Sequence, residues 1–197
     1  MSTMSTLVSL AVFSSLSLNL ILQFALVIQG MAARQQESYS IPFFQSGVLF
    51  VSVLFLWVVF SYILSPLAFG FFEYVLLFPL SALVCMGLEL LCTRFLPWIV
   101  PHAKMFTAIS AYNGLALTSL MLTINLARTF AEAVVLSLGF ALGVLLSLFL
   151  LQEIRKRSTL EMVPPFLQGV PLMLISMGLL SLIFTSLGAL FYKTLGM

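Results

Sequence analysis

The chain has 197 residues, 62% of them hydrophobic and only 7% charged, with a formal net charge of +2 and a mean hydropathy of +1.20. A soluble domain carries nearer ~25% charged residues, so the composition excludes a soluble globular enzyme and points to a lipid bilayer. A charge of +2 supplies no basic footprint for nucleic acid; at about 20 residues per span, the length holds roughly six helices with short loops and no soluble catalytic domain.

Residues 1–33 carry no charge. The positively charged n-region of a cleavable leader is therefore missing, and a retained first helix is expected over roughly Leu7–Ala33. Ser14, Ser15, Ser17, Asn19 and Gln23 interrupt its apolar run. A polar loop, Arg34-Gln35-Gln36-Glu37-Ser38, follows. Pro42 then precedes a second helix over about Gln45–Leu64, which stops at Ser65-Pro66, because the residue before a proline is biased away from helical geometry. A third helix is expected from about Phe71 to Cys92, between Glu73 and Arg94, and Pro97 and Pro101 break the loop after it.

Residues 105–126 form the fourth span, interrupted early by Tyr112-Asn113-Gly114. An amide and a glycine inside an apolar span are costly in lipid unless the backbone there faces protein or a cavity. Two interrupted hydrophobic segments at matching places in two halves point to an inverted repeat with its site near the bilayer midplane. The plainer alternative is that Ser, Asn and Gln join ordinary helices by hydrogen bonds. Arg128 and Glu132 flank a tight turn into a fifth helix over about Ala133–Leu151, closed by Glu153-Ile154-Arg155-Lys156-Arg157. Pro164-Pro165 lie in the next loop, and a sixth helix spans about Val170–Phe191.

Six spans put the N-terminus, the 2–3 and 4–5 loops and the C-terminus on one side, with Arg128 and Lys193. The other side holds Arg34, Arg94, Lys104, Arg155, Lys156 and Arg157. The side richer in Lys and Arg belongs in the cytoplasm, so both termini are expected outside it. The helix dipoles agree, with Glu73 and Glu132 at helix N-termini and Arg94 and Arg155–Arg157 at C-termini.

Little in the sequence suggests catalysis. His102 is the single histidine and sits in a loop. Cys85 and Cys92 share a face of helix 3 but lie about 10 Å apart along its axis; they read as small hydrophobes. Glu89, an acid one turn from the cytoplasmic end of helix 3, is a candidate functional group by its position in the membrane, or else a partner for Arg94. With Asn19, Gln23 and Asn113 it makes up the candidate midplane polar site. Gly139 and Gly143 on helix 5 permit close approach of another helix, and packing is all that motif argues for.

Several stretches carry a resemblance. They are Phe78–Pro97 with Met86-Gly87-Leu88-Glu89, Ile109–Asn125, Glu153–Arg157, Val163-Pro164-Pro165-Phe166-Leu167-Gln168-Gly169, and Leu174–Phe184. Together they resemble a membrane-protein family found in two complexes. It comprises the A and E subunits of the Rnf (Rsx) ion-translocating oxidoreductase and the D and E subunits of the sodium-translocating NADH:quinone reductase. The quoted stretches look like those of the Rnf A subunit. The resemblance implies an all-α integral membrane protein of six transmembrane helices in two inverted three-helix repeats, about 1–95 and 105–197 of a single membrane domain, with helices 1 and 4 discontinuous. It implies a place in a bacterial inner-membrane complex that couples electron transfer between ferredoxin and NAD to Na⁺ or H⁺ translocation. A homologous six-helix subunit of opposite orientation is the implied partner, and other subunits carry flavins and iron–sulfur clusters.

In that family two such subunits each give two cysteines, one from each broken helix, to an intramembrane 2Fe–2S cluster. The first follows a Phe-Leu-Gly-Leu-type run, where Phe24-Ala25-Leu26-Val27 leads here to Ile28. The second follows an asparagine of the fourth helix, where Asn113 is followed here by Gly114. The expectation is a subunit that binds no cluster of the family type. A degenerate scaffold without electron transfer, or a small inverted-repeat transporter, are the alternative functions.

Overall fold

The computed structural model describes residues 3–17, 19, 40–67, 71–95, 109–160, 164, 167 and 169–194. Within them the chain is all-helical: α1 (Thr3–Val12), α2 (Ser40–Val59), α3 (Phe71–Phe95), α4 (Ile109–Leu126), α5 (Phe130–Leu160) and α6 (Val170–Thr194). α1 runs on into a π-helical turn, Phe13–Ser17, and α2 into a second one, Phe60–Leu64, followed by a 3₁₀ turn at Ser65–Leu67. Among the described residues, three stretches are long and apolar enough to cross a membrane: Ser46–Leu64, Phe130–Ile154 and Pro171–Leu190. Shorter apolar helical segments occupy Leu7–Leu16, Tyr74–Leu88 and Gly114–Leu126.

α2 and α5 form the central pair, and α4 lies against both. Leu49, Val53, Leu56 and Trp57 line one face of α2, and Phe60 and Leu64 of the π turn continue it. They meet Leu136, Phe140, Val144, Leu148 and Leu151 of α5 and Leu115 and Leu120 of α4 in one core. The pair is antiparallel, since Phe43 near the start of α2 stacks edge-on against Phe149 near the end of α5 at 5.4 Å. At the other end Trp57 meets Phe130 at 6.0 Å.

α3 packs on α2 and α4, α1 packs on α5, and α6 packs on α5 and the π turn that ends α1. Exchanging helices 1, 2 and 3 with 4, 5 and 6 turns α2 on α3 into α5 on α6. It likewise turns α1 on α5 into α4 on α2, and α3 on α4 into α6 on the turn of α1. The outer helices α3 and α6 keep broad apolar faces exposed, among them Phe72, Phe78, Leu83 and Leu90 on one and Leu179, Leu182 and Leu190 on the other.

Several helix ends, and one expected interruption, differ from the sequence expectation. Pro42 lies inside the first turn of α2, where a missing N–H costs nothing because that donor has no intrahelical partner. α5 does not close at Glu153–Arg157 but continues to Leu160. Arg157 Nε donates to Glu153 Oε1 at 3.3 Å one turn away, so the charged run continues the helix as an i,i+4 pair. Most directly, the expected interruption at Tyr112-Asn113-Gly114 is not found there: α4 is one continuous helix from Ile109 to Leu126. Pro79 sits mid-way along α3, where it removes one helix hydrogen bond.

Candidate midplane polar site

The site is built where α1 ends against α5. At this end the serine hydroxyls turn back on their own helix. Ser14 Oγ donates to the Ala11 carbonyl at 3.1 Å, and Ser15 Oγ donates to the Val12 carbonyl at 3.3 Å. Such back-bonding competes with the regular backbone ladder, and the turn that contains both serines is π-helical. π turns of this kind are rare and tend to mark functional positions.

α5 receives this turn in a notch made by two glycines. A Cβ on Gly139 would collide with the Ser14 side chain, and a Cβ on Gly143 would stand 2.7 Å from the Ser15 carbonyl oxygen. Asn19, beyond the turn, is 1% exposed. Its Nδ2 donates to the Gly143 carbonyl at 2.9 Å and reaches the Ser15 carbonyl at 3.5 Å. Ser147 Oγ, one turn further along α5, donates to the same Gly143 carbonyl at 2.9 Å. The absent side chain of Gly143 thus opens its backbone oxygen to a donor from outside its own helix.

The other expected site residues have no described side chain. Gln23 and Ile28 lie outside the described residues. Asn113 falls on α4 and Glu89 near the end of α3, but the side chains of both lie outside what is described. Gly114 is exposed on α4, and its carbonyl accepts the Thr118 hydroxyl at 2.7 Å. Among the described residues no three His, Cys, Asp or Glu side chains gather as a metal site would require. The Asn19 cluster consists of amide, hydroxyl and carbonyl groups, so it can hold polar backbone away from lipid and order a helix end, but it contains no acid or base.

One feature was read only in part from the sequence and one went unrecognised. The glycine pair on α5 was readable only as a packing motif; its occupant is the serine turn of α1. The second is a cap on α5. Thr129 Oγ1 accepts from the Glu132 N–H at 3.3 Å, and Glu132 Oε2 accepts from the Arg128 N–H at 2.8 Å. A Thr-x-x-Glu spacing ahead of an apolar run is the available signal, and it fixes the tight 4–5 turn.

No family model matches the chain. Curated relatives do, and they share one name, that of the A subunit of an ion-translocating oxidoreductase complex. The protein of Buchnera aphidicola is 24% identical over 155 residues, covering 79% of this chain and 80% of that protein. The Pasteurella multocida protein is 29% identical over 137 residues, covering 70% and 71%. That of Histophilus somni strain 2336 is 29% identical over 143 residues, covering 73% and 74%. The resemblance read from the sequence is thereby borne out, and with it the description of the chain as a membrane protein similar to subunits of electron-transporting, ion-translocating complexes.

Proposed function

We propose that this relative of the ion-translocating oxidoreductase A subunits is an integral inner-membrane component of a bacterial Rnf-type complex. That complex couples electron transfer between ferredoxin and NAD to movement of Na⁺ or H⁺. The observation that carries the reading is the shared name of relatives matched along 70–79% of this chain and 71–80% of their own. The chain's proposed part in the complex is structural, and its described polar site is built from amide, hydroxyl and carbonyl groups.

The proposed architecture is six spans in two inverted three-helix repeats, with both termini on the periplasmic side. The helix adjacencies that survive exchange of the two halves support it, as does the antiparallel central pair α2 and α5. The proposed interruption of helix 1 lies beyond the π turn, where the buried Asn19 amide ties the chain to the Gly143 carbonyl of α5. The exposed Gly114 on α4 faces the homologous subunit of opposite orientation.

Purification through a tag on this chain tests the reading. The expected result is co-purification of a second six-helix subunit, together with flavin- and iron–sulfur-carrying subunits. Ferredoxin-dependent NAD reduction should then drive Na⁺ or H⁺ uptake into inverted vesicles. Ion uptake by the chain reconstituted alone would favour a small transporter instead. Vesicles from a deletion strain that couple redox and ion movement undiminished would overturn the proposal.

A further inference from the structure

We infer that no side chain of this chain ligates an iron–sulfur cluster, so that the subunit takes its place in the translocase without holding iron. The inference deepens the functional reading above and rests on it. A 2Fe–2S centre needs thiolate or imidazole ligands on its two irons. At the two positions where the family resemblance requires thiolates, the chain has Ile28 and Gly114. Isoleucine is a hydrocarbon with no ligating atom. Glycine offers only backbone, and the Gly114 carbonyl already accepts the Thr118 hydroxyl at 2.7 Å within an unbroken helix.

The donors the chain does possess are elsewhere. It contains two cysteines and one histidine in total. Cys85 and Cys92 both belong to α3, which is continuous from Phe71 to Phe95. Seven residues of helix hold them about 10 Å apart along the axis, too far to converge on one iron. α3 is an outer helix, packed on α2 and α4, and neither cysteine lies on α1 or α4. His102 falls between α3 and α4, outside the described residues. The donor set that a cluster requires is therefore missing from the two ligand positions and is not assembled on α3.

The test removes every thiol and imidazole from the chain. The assembled complex carrying Cys85→Ser, Cys92→Ser and His102→Gln is compared with the wild-type complex for iron, acid-labile sulfide and the electron paramagnetic resonance spectrum after reduction. The expected result is no change in any of the three. Loss of a 2Fe–2S signal together with about two irons per complex overturns the inference. If the triple variant does not assemble, Cys85→Ala, Cys92→Ala and His102→Gln are measured singly, and loss of a cluster in any one of them overturns it equally. A tagged chain that purifies with no redox-carrying partner refutes the functional reading and takes this inference with it, an outcome visible before any iron is counted.

Discussion

Asn19 owes its place to the backbone oxygen of Gly143, and that bond is open to a direct measurement. Replacing Asn19 with leucine removes the donor, and the expected loss is about 1 kcal/mol, in the range found for hydrogen bonds between membrane helices. Ser147→Ala is expected to cost less than half as much, because the Gly143 carbonyl keeps Asn19 as its donor from outside α5. Denaturant titration of the purified protein in mixed micelles reads both, and equal costs would contradict this account. The sequence made Asn19 conspicuous, as an amide in an apolar run. It could not reveal the partner, because a carbonyl belongs to every residue, and this one is distinguished only by the lack of a side chain above it. Asn113, equally conspicuous, lies on a continuous helix rather than at a break, since a single amide and glycine do not suffice to end a helix.

At the scale of the element, the glycines of α5 and α6 predict opposite outcomes for one substitution. Gly143→Ala places a methyl 2.7 Å from the Ser15 backbone oxygen, so the turn of α1 must move; overpacking of this kind costs about 1–3 kcal/mol. Gly178→Ala meets nothing within 4 Å and is expected to be neutral or to stabilise α6 by up to about 1 kcal/mol through helix propensity. Thermal unfolding of the two variants separates them by sign. The cap at Thr129 and Glu132 gives a further prediction: Thr129→Ala should cost about 0.5–2 kcal/mol and expose the first amides of α5 to faster hydrogen exchange. Helix positions were legible from hydropathy and proline placement, but helix ends were not. The Glu153–Arg157 run looked like a terminus because it is charged, whereas a charged pair one turn apart is equally at home inside a helix that has left the bilayer. At about 1.5 Å per residue, the 31 residues of α5 reach well past a hydrocarbon layer of about 30 Å.

For the molecule as a whole, the distribution of Lys and Arg predicts where the ends lie. A periplasm-dependent phosphatase fused after Met197 should be active, and a cytoplasmic fluorescent reporter at the same place should be dark; the reverse pattern would invert the orientation. Membrane character was legible from composition alone. Which face of each helix turns inward was not, because nearly every side of these helices is apolar and hydropathy does not distinguish a lipid-facing leucine from a core leucine. Leu120 and Leu182 look alike in sequence, yet one is fully buried between helices and the other is among the most exposed residues of α6.

The bond between Asn19 and Gly143 joins residues 124 positions apart, and that separation has a consequence for how the chain is made. At a synthesis rate of about 5–20 residues per second, roughly 6–25 s pass between the emergence of Asn19 and that of its acceptor. Once inserted, the segment that carries Asn19 must hold its amide without the α5 acceptor until Gly143 has been made. Biogenesis therefore includes a waiting period, in which the insertion machinery, or water drawn in from the interface, stands in for a helix still to be translated.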